Sequence, residues 1–167
     1  MCRYNNKKGQ SSFQSFEEVS KCLDELVKEN QCIKIITNGF NDFLFVLTHD
    51  NAINDYKENA KDISFLDSVY KITDLSTPIW VFGHVTKSLH GIPTFVIFSS
   101  ENKSNYLGQA ISAIRDHLKK KSIELSKSTI IDKDNVEIKA LEENGIKILF
   151  CKVSLHRFDF ELINDYI

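Results

Sequence analysis

Residues able to do chemistry are unevenly spread through this chain. Four cysteines, Cys2, Cys22, Cys32 and Cys151, fall at spacings that match no CxxC or zinc-knuckle pattern. They read as reduced thiols, with a Cys22–Cys32 disulfide as the alternative. His84 and His90 read as turn or sheet-face residues rather than ligands. Among the carboxylates, Asp67 interrupts an apolar run, and on its own it reads as a strand-edge charge, since strand ends are where charge escapes a core. Asp132 and Asp134 close the run Thr129-Ile130-Ile131. Asp134 reads as a helix N-cap and Glu137, three residues on, as its capping-box partner. Lys119, Lys120, Lys121, Lys127, Lys133 and Lys139 cluster late in the chain, where lysines at a helix end read as solvated caps.

These residues need elements to position them. Composition sets the frame: 167 residues, 42% hydrophobic and 26% charged, with 12 Phe but only 2 Pro and 6 Gly, which describes one folding domain and excludes a low-complexity chain. A formal charge of -2 excludes the overall positive field that holds a protein to phosphate backbones, so any nucleic-acid contact must come from a local patch. No apolar run is long enough to span a bilayer, and Met1 to Ser12 lacks the hydrophobic stretch of a signal peptide. The expected location is therefore nuclear or cytoplasmic, neither secreted nor membrane-bound.

From Ser15, the spacing of Phe16, Val19, Cys22, Leu23, Leu26 and Val27 predicts a helix ending near Asn30, capped by Ser15 with Glu18. Cys32 to Ile36 and Phe43 to Leu47, separated by Asn38-Gly39, predict a β-hairpin. His49 to Ala60 predicts a polar surface helix capped by Asp50 or Asn51. Ile63 to Ile72, Ile79 to Thr86 and Pro93 to Ser99 predict three strands of an antiparallel meander. Ser104 to Lys121 carries Leu107, Ala110, Ile111, Ile114 and Leu118 on one helical face. Strands at Ser128 to Ile131 and Ile146 to Phe150 flank a helix from about Asn135 to Asn144 that Gly145 stops, and a last helix starts near Ser154. The sum is an α/β fold: a three-stranded antiparallel meander plus parallel strands joined by right-handed helical crossovers, one mixed sheet. Residues 1–61 read as an N-terminal extension of tail, helix, hairpin and helix packing on a core at 62–167.

That order is the one used by ribonuclease H-like nucleases, integrases and transposases, and three segments resemble one branch, the Mutator-like (MULE) transposases. Phe65-Leu66-Asp67-Ser68-Val69-Tyr70-Lys71-Ile72-Thr73 resembles their first-strand motif. Gly91-Ile92-Pro93-Thr94-Phe95 with Ser99-Ser100-Glu101-Asn102 resembles the third strand and the polar turn after it. Thr129-Ile130-Ile131-Asp132-Lys133-Asp134 resembles the strand-end "TD.D" motif, followed by Ala140-Leu141 to Phe150-Cys151 as helix and next strand.

The resemblance implies a metal-dependent nuclease and strand-transfer centre, with carboxylates on neighbouring strands binding Mg2+ or Mn2+, since hard cations prefer oxygen ligands and a metal pair stabilises attacking and leaving oxygens at phosphorus. It assigns Asp67 and Asp132 as the first and second acidic positions, catalytic and metal-binding, and it points to Lys71 and Lys133 for nucleic-acid contact. The family's third acidic residue comes from a helix after a long insertion, and the chain stops at Ile167, so the core is expected to be incomplete there. Asp134, Glu137 or Asp159 are the partial substitutes on offer. Where the family shows Cys-x-x-His, this chain has Cys151-Lys152-Val153-Ser154; His156 lies two residues on, about 200° away around a helix. Two functions follow: a transposase-derived domain acting on DNA, or a non-catalytic domesticated DNA- or protein-interaction module, with a protein partner or a homodimer as further options. A fold-level likeness only, in an unrelated α/β protein, is a third.

Overall fold

Alternation in Phe43-Leu44-Phe45-Val46-Leu47-Thr48 has a direct structural counterpart: Leu44, Val46 and Thr48 are buried while the residues between them are half-exposed. Successive strand side chains point to opposite faces, so this strand has one face committed to the core. In the computed structural model, residues 24–29, 31–37, 42–60, 63–69, 78–87 and 90–151 are described, with side chains omitted at 32, 34–37 and 69. They form β1 (Cys32–Thr37), β2 (Phe43–Thr48), α1 (Asp50–Asn59), β3 (Ile63–Val69), β4 (Ile79–Val85), β5 (Gly91–Ser99), α2 (Ser104–Lys120), β6 (Ser128–Ile131), α3 (Asn135–Glu143) and β7 (Lys147–Phe150). Residues 24–28 are also helical. The fold is α/β.

Seven strands make one mixed sheet in the order β1-β2-β5-β4-β3-β6-β7. β3, β4 and β5 are the expected antiparallel meander, β1 and β2 the expected antiparallel pair, with β2 docked on β5. β6 joins β3 in parallel and β7 joins β6 in parallel, each after a helical crossover. Register shows which side chains share a face. Val46 is level with Ile97, Ile97 with Trp80 and Trp80 with Ser68; Thr48, Phe95, Phe82 and Leu66 form the next such row. Their large apolar members pack with Ile53 and Tyr56 of α1, Leu107, Ile111 and Ile114 of α2, and Ala140 and Leu141 of α3. All three helices thus cover the same face of the sheet.

Strand limits differ modestly from expectation. β5 starts at Gly91 rather than Pro93, because Gly91 still pairs with Val85. His49, not Asp50 or Asn51, caps α1, its Nδ1 accepting from Asn51 N at 3.1 Å. α1 is also no mere surface helix: Ala52, Ile53 and Tyr56 are buried, one side at i, i+1 and i+4 being enough to anchor it. Gly145 ends α3 as expected, at φ 67°, with Ile146 N donating to Leu141 O and Gly145 N to Glu142 O, a left-handed termination that glycine adopts without steric penalty. Asn144 and Arg115 then tie α3 to α2: Asn144 Nδ2 donates to Gly108 O at 3.2 Å and Arg115 Nη2 to Asn144 O at 2.5 Å. Of the helix expected from Ser15 to near Asn30, residues 24–28 are described and helical; its start, the helix expected from Ser154 and the Asn38-Gly39 turn lie outside the described residues. Among the described residues no helix is long and apolar enough to cross a membrane.

Candidate functional site

Two apolar strands deliver the two aspartates. β3 pairs with β6 in parallel through Ile63 with Ser128, Ser64 with Thr129 and Phe65 with Ile130. Each pair differs by 65 positions; the pairing ends there, with Asp67 two residues further along β3 and Asp132 two residues past Ile130. Backbone alternation then assigns the face of Asp67. Leu66 and Ile131, each 1% exposed, belong to the helix-side core, so Asp67, which follows Leu66 within β3, leaves that face. Asp67 is half-buried between the flanking strands, level with Val81 on β4; Asp132 is exposed just past the end of β6. Two residues 65 positions apart in the chain are thereby brought to the same end of two adjacent strands.

α3 begins immediately afterwards. Asp134 is its N-cap, with Oδ1 accepting from Val136 N at 2.7 Å and Glu137 N at 3.2 Å. The expected capping box does not form, because Glu137 does not reach back: it is 1% exposed and neither carboxylate oxygen has a hydrogen-bond partner. Position 137 lies on the same helical face as Ala140 and Leu141, both fully buried, and this face carries it inward. Burial pushes the Glu137 carboxyl up to about 8, and the negative charges of Asp134, Asp67 and Asp132 add to the rise. The Ser68 hydroxyl is near enough to oppose it, without reaching bonding geometry. Glu137 is therefore within electrostatic reach of three other carboxyl groups, on β3, past the end of β6 and at the start of α3.

Lys133 is exposed beside Asp132. Lys71, Ser154, His156 and Asp159 lie outside the described residues, as do Cys2 and Cys22. Cys151 is half-exposed. Among the described residues, no group of three or more His, Cys, Asp or Glu is arranged to hold a metal ion.

Sequence reasoning missed a second polar cluster, at the other end of the meander. His84 is fully buried on β4, its Nε2 3.0 Å from Asp55 Oδ2 on α1, without the geometry of a well-aligned hydrogen bond. Its Nδ1 lies 3.4 Å from Thr94 Oγ1, and its ring stands edge-on to Tyr56. Tyr56 Oη in turn accepts from Ser126 N at 3.1 Å and shares a 2.8 Å hydrogen bond with Ser126 Oγ. Alternation with Trp80 and Phe82 was the available signal, since it sets His84 on the buried face. With His84 wholly enclosed, this cluster fastens α1 to the sheet.

Compared with known proteins, the chain matches no family model and none of the curated proteins.

Proposed function

We propose that this chain is a ribonuclease H-like domain of the Mutator-like transposase type, in which Asp67 and Asp132 hold a divalent cation for DNA phosphodiester chemistry. One observation carries the reading: β3 and β6 pair in parallel from Ile63–Ser128 to Phe65–Ile130, with Asp67 two residues further along β3 and Asp132 just past the end of β6. The sheet supports it as well. Numbered from the meander, β5-β4-β3-β6-β7 runs third, second, first, fourth, fifth, the order that fold uses, with the β1-β2 pair added beyond the third strand.

The donor set suits Mg2+ or Mn2+, which prefer carboxylate oxygens over nitrogen or sulfur. Bound there, such a cation would supply Lewis acidity at phosphorus and lower the pKa of a water molecule. The chain's own part is positioning. Pairing with β4, where Asp67 is level with Val81, fixes the Asp67 backbone, while the cap at Asp134 fixes the turn that carries Asp132. Lys133, exposed beside that turn, offers a cation to a phosphate backbone.

A second reading, a non-catalytic DNA- or protein-interaction module, is favoured by a specific observation: among the described residues no third ligand joins the aspartate pair. Calorimetric titration of the whole chain with Mn2+ separates the two. Binding by the parent that is lost in Asp67→Asn and in Asp132→Asn is the result expected of the cation site. Equal heats from all three proteins would remove it.

A further inference from the structure

Glu137 has no role in that scheme, and its setting is unusual for a structural residue. A buried carboxyl ordinarily finds a hydrogen-bond donor or a cation, because an unpaired one is costly to desolvate. Here both oxygens are orphaned at 1% exposure. Among the described residues, the charged groups acting on it are Asp134 at the start of its own helix, Asp67 on β3 and Asp132 past β6, all negative, and Ser68 is a neutral group opposing them. Ser68 lies in the row of Trp80 and Ile97, on the face the helices cover, whereas Asp67, the residue before it, leaves that face. Glu137 is therefore on the helix side of the sheet, and Asp67 leaves the sheet on the other. A side chain so placed is no ligand, in keeping with the lack of a three-ligand group among the described residues.

We propose that Glu137 is the buried counter-charge of the Asp67–Asp132 site, strengthening divalent-cation binding through space from the helix side of the sheet. The inference rests on reading that pair as a cation site. Its physical basis is the low-dielectric layer between them, where a charge is screened far less than at the surface. A cation above the sheet supplies the positive charge that the orphaned carboxyl lacks, so occupancy of the site and ionisation of Glu137 favour each other. Glu137 is thus a positioning and charge-setting residue, acting through the site rather than on a substrate.

The test is Mn2+ titration of the whole chain at pH 7, comparing the parent with Glu137→Gln, Asp67→Asn and Glu142→Gln. Glu142 is exposed on the same helix, so its variant removes an equal formal charge into solvent. The expected result is an affinity loss of about tenfold or more for Glu137→Gln, the range seen when a group behind the ligands is removed, with Glu142→Gln unchanged. A Glu137→Gln affinity equal to the parent's, with Asp67→Asn unable to bind, would overturn the inference and leave the cation site standing. Absence of binding by the parent would end both. A second readout needs no variant: repeating the parent titration in two buffers of different ionisation enthalpy should reveal a proton released as Mn2+ binds, and a proton count of zero would overturn the proposal.

Discussion

Replacing Glu137 by glutamine should make the metal-free protein more stable in alkaline solution and leave it nearly unchanged in acid. The carboxyl rises from an ordinary 4.5 to about 8 on folding, so between those values the folded chain binds a proton that the unfolded chain has released. Stability contributed by this group is fully present below pH 4.5 and drains away as pH climbs through 8. At about 1.4 kcal/mol for each pH unit separating the two values, the drain amounts to several kcal/mol, a sizeable part of the roughly 5–15 kcal/mol that holds a domain folded. Glutamine copies the shape of the protonated acid and cannot ionise. Urea unfolding at pH 5 and pH 9, with chelator present, is the assay. The parent should lose stability between the two conditions relative to Glu137→Gln, and the variant should be the more stable protein at pH 9. Parallel pH profiles for the two proteins, or a variant that is weaker at pH 9, would refute the assignment of a buried, unpaired carboxyl.

Other consequences are equally direct. Gly83→Ala puts a Cβ 2.1 Å from Ile92 O and 2.6 Å from the Phe65 ring; since a backbone oxygen cannot yield, a loss of about 3 kcal/mol or more is expected in urea melts, and a near-neutral variant would contradict the packing of β4 against β5. Tyr56→Phe strips Ser126 of the partner for its N–H and its hydroxyl, with an expected loss of about 1–3 kcal/mol; an unchanged melting temperature would show that Ser126 is satisfied elsewhere. Burial holds the His84 imidazole below its ordinary 6.5 against the pull of Asp55, so its share of stability is present above pH 6.5 and falls as the unfolded chain takes up the proton below it. His84→Gln should therefore flatten the stability profile between pH 7 and pH 5, and a variant retaining the parent's slope there would place the titrating group elsewhere.

Much of this architecture could be read from residue patterns. Strict alternation at Phe43 to Thr48 and the apolar spacing at Leu107 to Leu118 identify a half-buried strand and an amphipathic helix because period alone separates them. Asp134 is recognisable as a cap by its position after a strand run and before α3. Glu137 was not recognisable as a buried acid, since Asp-x-x-Glu is also the signature of a capping box, and only its alignment with Ala140 and Leu141 points inward. The α1 core contacts were obscured for a related reason: Asp50, Asn51, Asn54 and Asp55 outnumber Ile53 and Tyr56, yet tertiary packing needs only the latter. The register that brings the segments of Asp67 and Asp132 side by side depends on pairing across 65 positions, a long-range contact that no local pattern encodes.

The aspartate pair is the centre of the account, and diffraction tests it most directly. Crystals of the whole chain soaked in Mn2+ and measured at the manganese absorption edge should show an anomalous peak against the carboxylates of Asp67 and Asp132, at the shared end of β3 and β6. Those two side chains resting on separate strands with no density between them would contradict it.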